Sequence, residues 1–421
     1  MHRIIAAVIA AGVCASSLQA QTRPPASAEP VLTLEEALAR AGASSPFQDA
    51  ASAGVRAAEA QRRVAALRPN PSIIAETENV AGTGIYQGLR SSETTVGLAL
   101  PLERGGKRSA RIALAEAQIG RAGLQADIAR ADLRLRVAQT YNVAVAAQRR
   151  IGIARDQLGI AAEVLRTARV RVQAGRASPL EEQRADVARV AADGAMERAE
   201  RSAVVASANL ARLLGITVGT LDDAWFQRVD TIRRSPASGT ANTLTAAAAR
   251  ADLDTATAQV RLAQSQRVPD LTLSASARRL EQTNDVAAVF GVSIPLAVFN
   301  GGRSAVAVAN AQRDQSDALR RVALLDAEQG IAEALVDAAN AATTARNAIG
   351  PALAAAQEAA RIARIGYREG KFGQLDLLDA ERTLLDTRTA AIDALAAYHD
   401  AQARLERLTT AAAPMPKDTD R

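Results

Sequence analysis

Two carboxylates near the end of the chain are the first residues whose spacing could do chemistry. Asp376 and Asp379 lie three residues apart, so they share one face if the segment is helical. A pair of carboxylates can carry out acid–base hydrolysis, but it then works beside a nucleophile, a further base or a glycine-rich phosphate loop. None of these accompanies the pair, and a hydrolase is therefore rejected. A solvated helix face, with Asp376 stabilised near a helix N-terminus, explains both aspartates as well.

Histidine and cysteine are too scarce to build a catalytic centre. The chain has two histidines and one cysteine, and His2 and Cys14 both lie in its first fourteen residues, which leaves only His399. This inventory argues against a zinc site, a cysteine nucleophile and a histidine-based triad. We predict a protein that is not an enzyme, has no metal site and uses no cofactor.

The N-terminus has the pattern of a secretory signal. Arg3 precedes an apolar run over residues 4–13, which is too short to span a bilayer as a helix. We predict a signal peptide over 1–20 and an extended segment over 21–30, so that the mature protein works beyond the inner membrane. Lipidation of Cys14 is the alternative, and it is disfavoured because a valine precedes the cysteine.

Composition favours helices packed along narrow seams over a thick core. Of 421 residues, 48% are apolar and only 2% are aromatic, so Ala, Leu, Val and Ile must form the interior. The net charge is +6, but acidic residues are interleaved with the basic ones, as in residues 181–186. No basic block alternates with aromatic residues, and we predict no binding of nucleic acid.

The chain contains an internal repeat. The matching segments are 97–102 with 291–296, 105–110 with 301–305, and 175–180 with 370–375. We predict a first repeat over 31–215, a linker over 216–242, a second repeat over 243–410 and a tail over 411–421. Each repeat has the order helix, two strands, very long helix, tight turn, helix.

The helices of each repeat are unusually long. The first begins at a capping box on Thr33 and runs to about Leu67, before two prolines. The next covers about 108–174, and its counterpart in the second repeat covers about 303–369 with a kink predicted at Pro351. A helix of this length is roughly 100 Å long and needs lateral partners, and its apolar spacing indicates coiled-coil packing.

Four segments alternate apolar and polar residues as strands do. The predicted strands are about 72–80, 93–102, 270–279 and 286–296. Each is long enough to cross an outer membrane at a tilt, with one apolar and one polar face. Four strands cannot close a barrel, and an open edge in lipid is too costly. Closure therefore needs several copies, and three copies would supply twelve strands.

This duplicated order of elements resembles the TolC family of outer-membrane efflux ducts, over nearly all of the predicted mature chain. The segments that carry the likeness are 32–38, 68–71, the strand ends at Pro101 and Pro295, and the turns 175–180 and 370–375. Within the family, residues 103–111 are most similar to the cobalt-zinc-cadmium resistance branch. Branch membership does not fix the cargo, and metal ions and organic compounds both remain candidates.

The resemblance implies a mainly α fold with a membrane β portion. It implies a homotrimer whose twelve-stranded barrel lies in outer-membrane lipid and whose long helices form a periplasmic tunnel. Such a duct docks to a periplasmic membrane-fusion adaptor and, through it, to an inner-membrane pump of the resistance-nodulation-division type. The implied function is a passive exit duct of the bacterial outer membrane, with divalent heavy-metal cations among the candidate substrates.

The resemblance also implies roles for the two tight turns, which would contact the helical hairpin of the adaptor. The expected contact residues are Gly175, Arg176, Ala177, Gly370, Lys371 and Phe372. Phe372 stands out because an aromatic side chain at a turn has little to bury against in its own chain. A helix hairpin with Ser178 as N-cap, Pro179 as first residue and Glu181 as capping-box acid is an equally good explanation of the first turn.

Asp376 and Asp379 match the position where family members carry aspartate rings at the narrow entrance of the duct. Threefold symmetry would gather these carboxylates around one aperture and favour cations. The first repeat has Glu181 and Arg184 there, so a ring would come mainly from the second repeat.

A second class of protein was weighed against the duct. A secreted or periplasmic coiled-coil scaffold or adaptor would place the alternating strands in a soluble β domain. In the duct, the aromatic girdle expected at the membrane interface would be thin, because Tyr86, Phe290 and Phe299 are almost the only aromatic residues near the strands. Extraction without detergent would indicate this second class.

Overall fold

The protein is described by a computed structural model. Its described residues are 31–43, 45–230 and 240–412. The predicted signal peptide over 1–20 and the segment over 21–30 lie outside them, as do the middle of the predicted linker and most of the predicted tail.

Helices make up most of this part of the chain. The α-helices are α1 (Leu34–Ala43), α2 (Pro46–Ala65), α3 (Lys107–Gln173), α4 (Pro179–Leu214), α5 (Leu244–Ser265), α6 (Arg303–Asn347), α7 (Leu353–Arg368) and α8 (Gln374–Thr409). The strands are β1 (Ser72–Glu78), β2 (Glu93–Leu102), β3 (Leu271–Leu280) and β4 (Asp285–Ser293). No helix in the described ranges is both long and apolar enough to cross a membrane.

The prediction of one continuous helix from Thr33 to about Leu67 is wrong, because the structure has two helices there. The chain breaks between α1 and α2, where the Ser45 hydroxyl accepts a hydrogen bond from the amide of Phe47 at 3.3 Å and Pro46 begins α2. A serine N-cap followed by proline satisfies free amides at a helix start and disfavours helical backbone in the preceding residue. The break lets α1 and α2 contact α3 as two separate helices.

The long helices follow the expected bounds closely. Helix α3 has 67 residues and begins after Gly106, whose φ of 73° closes a tight turn from the sheet. Its counterpart in the second repeat is interrupted by a π-helical turn over Ala348–Ala352 that contains Pro351. Proline lacks the amide hydrogen that an unbroken helix needs, so the wider turn separates α6 from α7.

The four strands form one antiparallel sheet in the order β1-β2-β3-β4. Strand β2 of the first repeat pairs with β3 of the second, for example Thr94 with Arg279, so the two repeats share the sheet. Strand β4 ends at Ser293, three residues before the predicted end, because Pro295 offers no amide hydrogen to extend the ladder.

The two faces of the sheet differ in character. On one face Ile73, Leu98, Phe290 and Val292 are all well exposed, with Ile73 at 77% and Phe290 at 80%. The other face carries an ionic cluster around Arg278. The guanidinium contacts Glu78 at 3.1 Å, Glu93 at 2.8 Å and the Thr95 hydroxyl at 3.0 Å. The sheet thus has one apolar and one polar surface, as the alternation predicted.

The segment between the repeats is fastened to the helices by buried aromatic side chains. The Tyr141 hydroxyl lies 2.7 Å from the carbonyl of Leu32 and 2.9 Å from that of Asp222, and burial raises the pKa of Tyr141 to about 12. His399 Nε2 lies 2.9 Å from the carbonyl of Phe226, and burial lowers the pKa of His399. Segment and helices therefore form one packed region halfway along the rods.

Candidate functional site

The first tight turn connects α3 to α4 and holds three of the predicted contact residues. Gly175 has a φ of 69°, a left-handed conformation that favours glycine. Its amide donates to the carbonyl of Val172 at 2.9 Å, and the amide of Arg176 donates to that of Arg171 at 2.8 Å. This pattern ends α3 abruptly and leaves Arg176 exposed.

Helix α4 then begins at a serine N-cap. The Ser178 hydroxyl accepts from the amide of Leu180 at 3.3 Å, and Pro179 is the first helical residue. The carboxylate of Glu181 does not complete a capping box, because it lies 3.5 Å from the hydroxyl of Tyr367 in the neighbouring hairpin. Glu181 thus contacts the second hairpin and not the N-cap of its own helix.

The second turn, between α7 and α8, repeats this geometry. Gly370 has a φ of 72°, and the amide of Lys371 donates to the carbonyl of Gly366 at 2.7 Å. Helix α8 begins with the Asp376 carboxylate accepting from the amide of Gly373 at 2.9 Å. Asp376 therefore stabilises the start of α8, as the alternative explanation of this residue supposed.

The expectation that Phe372 has little to pack against in its own chain is wrong. Its ring fills the space that a side chain on Gly366 would occupy, so it does pack against its own chain. It remains 42% exposed. The absence of a side chain at Gly366 therefore leaves the space in which the Phe372 ring packs.

The two turns are joined by polar contacts that the sequence did not reveal. The Arg171 guanidinium lies 4.6 Å from the centre of the Tyr367 ring, and it donates to the Tyr367 carbonyl at 3.3 Å. The amide nitrogen of Gln374 donates to the carbonyl of Glu181 at 2.6 Å. Tyr367 is almost fully buried, and this burial raises its pKa. The two turns that carry the six predicted contact residues thus lie at one end of the molecule and are joined to each other.

Asp376 and Asp379 both lie exposed on one side of α8, while Leu377 between them is buried. One turn further along, Glu381 is 3% exposed and forms an ion pair with Arg364 of α7. The hydrogen bond to Glu381 raises the pKa of Arg364. Sequence reasoning missed this pair because its two residues come from different helices, and only their packing brings them together.

The described residues contain no group of three or more histidine, cysteine, aspartate or glutamate side chains arranged to hold a metal ion. The geometry instead offers an apolar sheet face, long paired helices and an exposed end made of two tight turns.

The sequence pattern of the family described as outer membrane efflux protein matches residues 37–216 and 240–411. The chain belongs to this family. Both repeats fall within the match. Family membership makes the chain an outer-membrane channel of an efflux system, with its helical part in the periplasm.

Characterised relatives agree with the family. The chain is 33% identical over 400 residues to the cobalt-zinc-cadmium resistance protein CzcC of Cupriavidus metallidurans, covering 91% of each protein. It is 29% identical over 295 residues to the nickel-cobalt-cadmium resistance protein NccC of Alcaligenes xylosoxydans xylosoxydans, covering 69% of this chain and 64% of that protein.

Solved structures show the same fold at lower identity. The outer membrane protein VceC of Vibrio cholerae superposes with a TM-score of 0.72 at 20% identity, over 90% of this chain and 96% of VceC. The open state of the MtrE outer membrane channel of Neisseria gonorrhoeae gives 0.73 at 21% identity, over 89% and 88%. The fold is therefore that of TolC-like channels.

Proposed function

We propose that three copies of this chain form one channel whose joined sheets close a twelve-stranded barrel in the outer membrane. The four-stranded sheet supports this proposal, because its edge strands β1 and β4 need partners and its exposed face is apolar. Known membrane barrels have about eight strands or more, and closure removes the edges that lipid cannot tolerate.

The cargo that we propose is a divalent heavy-metal cation. The observation that carries this is the 33% identity, over 91% of both chains, to a protein named for cobalt, zinc and cadmium resistance. A second relative is named for nickel, cobalt and cadmium. The channel would conduct passively, and an inner-membrane pump of the resistance-nodulation-division type would supply the energy.

The docking site for a periplasmic adaptor would be the end formed by the two turns. The proposed contact residues are Gly175, Arg176, Ala177, Gly370, Lys371 and Phe372. Arg176, Lys371 and Phe372 are exposed there, and the Schellman-type hydrogen bonds hold both turns in fixed shapes. Preformed turns reduce the entropy that binding must overcome.

The entrance of the channel would be lined by Asp376 and Asp379. Both are exposed one turn from the α7–α8 connection, and three copies would place three such pairs around the axis. A ring of carboxylates in a narrow aperture attracts divalent cations and repels anions.

The cargo is tested by growing a host that lacks its own copy of this channel but keeps the adaptor and pump. We expect this chain to restore tolerance to cobalt, zinc or cadmium salts and to lower the metal retained by the cells, measured by mass spectrometry. A variant with Phe372→Glu is the matched control, since it should express normally but dock poorly. Restored tolerance to organic toxicants alone would contradict the metal cargo while keeping the channel.

A further inference from the structure

Four chain segments that connect the helices to the strands are joined by hydrogen bonds and an ion pair. These contacts are Arg104 N with Asp270 Oδ1 at 3.2 Å, Lys107 Nζ with Asp270 Oδ1 at 2.8 Å, Arg267 Nε with the Gly301 carbonyl at 3.3 Å, and Arg108 Nε with the Ala66 carbonyl at 2.7 Å. We call the level of the molecule at which these segments lie the junction. The turns of both β-hairpins lie at the opposite end of the strands. The junction is therefore the end of the sheet that is nearer to the helices.

An apolar segment leaves the sheet at the junction. After β4, Leu296 is 83% exposed, Val298 74% and Phe299 completely so. The segment follows closely after the strand whose exposed side chains include Phe290 and Val292. At the corresponding place the first repeat has only Glu103 and Arg104 before its glycine pair, so the second repeat adds this apolar material specifically.

Exposed arginines without an ion-pair partner in the described part of the chain lie at the same level of the molecule as this segment. Arg68, Arg104, Arg267 and Arg303 are exposed, and the described residues place no carboxylate within ion-pair distance of any of them. The acidic residues of the junction are already engaged, Glu103 with Arg111 and Asp270 with Lys107. The junction therefore presents uncompensated positive charge beside an exposed apolar segment.

We propose that the junction binds anionic phospholipids of the periplasmic leaflet of the outer membrane. The phosphodiester would be held by the arginines, and the acyl chains would cover Leu296 and Phe299. This inference rests on the proposed membrane barrel and adds its lipid chemistry. Guanidinium groups bind phosphate oxygens in a forked geometry, and long basic side chains at the edge of the hydrocarbon commonly reach headgroups.

A neighbouring copy fits this surface less well than a lipid. Its β1 edge begins just after Arg68, so pairing with β4 brings further positive charge to the same level. An anion between these guanidinium groups would relieve their mutual repulsion. An anionic headgroup with acyl chains supplies the charge and the apolar cover at once.

The first experiment measures what surrounds Phe299 in the channel reconstituted into lipid vesicles. The only cysteine is Cys14, in the predicted signal peptide, so single cysteines can be introduced and spin-labelled. Labels at Phe299→Cys, Phe290→Cys and Glu200→Cys are compared for contact with oxygen, which enriches in lipid, and with a water-soluble nickel chelate. We expect the labels at 299 and 290 to be more accessible to oxygen than to the nickel chelate. The label at 200 should be more accessible to the chelate, because it faces water.

The second experiment measures lipid binding to the delipidated channel by native mass spectrometry, with phosphatidylglycerol and phosphatidylcholine as probes. The triple variant Arg104→Gln, Arg267→Gln, Arg303→Gln should lose the preference for phosphatidylglycerol, by about fivefold in affinity for each arginine. A matched triple variant, Arg155→Gln, Arg184→Gln, Arg198→Gln, removes three exposed arginines elsewhere and should keep the preference.

Three results would overturn the proposal. They are a label at 299 that contacts the nickel chelate, a label at 299 shielded from both probes by a neighbouring copy, and an unchanged lipid preference in the junction variant. If the label at 290 also contacts the chelate, the membrane barrel itself fails and the lipid proposal falls with it. Lipid contact at 290 without it at 299 refutes the junction proposal alone.

Discussion

At the scale of single residues, the site depends on side chains with two duties. Asp376 illustrates this, because its carboxylate accepts the amide of Gly373 and is also proposed to face the entrance. Replacing it with alanine would remove a helix cap worth about 1 kcal/mol together with the charge. Substitution by asparagine keeps an accepting oxygen and removes only the charge.

We therefore predict that Asp376→Asn with Asp379→Asn lowers the cation preference of the channel and its conductance for cations, since the entrance loses its negative ring. Single-channel recording in planar bilayers measures both quantities. The control is Asp193→Asn on the exposed side of α4, which should leave the currents unchanged. Equal cation preference in the double variant and the wild type would remove these aspartates from the entrance.

Gly366 sets the position of the Phe372 ring, so it should influence docking without touching the adaptor. A methyl group at 366 would collide with the ring and displace it. We predict that Gly366→Ala and Phe372→Ala each weaken adaptor binding about tenfold, measured by surface plasmon resonance with the trimer intact. Gly330→Ala, at an open position in α6, should leave binding unchanged. Dissociation of the trimer in Gly366→Ala would instead make the ring a packing residue.

The only histidine in the described part of the chain should make stability depend on pH. Burial lowers the pKa of folded His399 below its ordinary value of 6.5. As the pH falls, the unfolded chain therefore takes up a proton first, and stability declines below about pH 6.5. We predict that the thermal midpoint falls more between pH 7.5 and 5.5 in the wild type than in His399→Gln. Parallel pH profiles would contradict this role.

At the scale of elements, residues 221–230 between the repeats are held against α3 and α8 by hydrogen bonds with side chains of these two helices. Tyr141 of α3 reaches the carbonyls of Leu32 and Asp222 from a fully buried position. Both carbonyls keep a second donor, the amide of Asp222 for Leu32 and the indole of Trp225 for Asp222.

We predict that Tyr141→Phe, which removes one buried hydrogen bond, costs about 0.5–1.5 kcal/mol of stability and speeds tryptic cleavage after Arg228. Tyr86→Phe, at an exposed tyrosine, should change neither quantity.

The elements also show what the sequence could reveal. The bounds of α3 and the kink at Pro351 were predictable, because helix caps, glycines and prolines act locally. The Ser45-Pro46 pair is a local signal for a helix start. The apolar spacing continues across this pair, and it led to the prediction of one helix instead of two. Contacts such as Arg171 with Tyr367 and Arg364 with Glu381 join residues on different helices, and one sequence carries no record of such pairing. The entrance and docking roles stay predictions.

At the scale of the whole molecule, length and symmetry are the quantities to measure. Helix α3 has 67 residues, which corresponds to a rod of roughly 100 Å. We predict that negative-stain images of detergent-extracted protein show threefold tubes somewhat longer than these rods. Images of a variant with Phe290→Asp and Val292→Asp should show fewer assembled tubes, because charges on the apolar sheet face oppose insertion. Compact particles from a detergent-free extract would contradict the channel.

The pairing of β2 with β3 has a consequence for how the protein is made. Leu102 pairs with Leu271, about 170 residues later, so the first hairpin emerges from synthesis long before its third strand exists. Until then β2 presents an open edge that any other nascent copy can complete, and such edges template aggregation. Rapid expression should therefore yield misassembled chains joined through the first hairpin, and slower synthesis should increase the share of chains that mature.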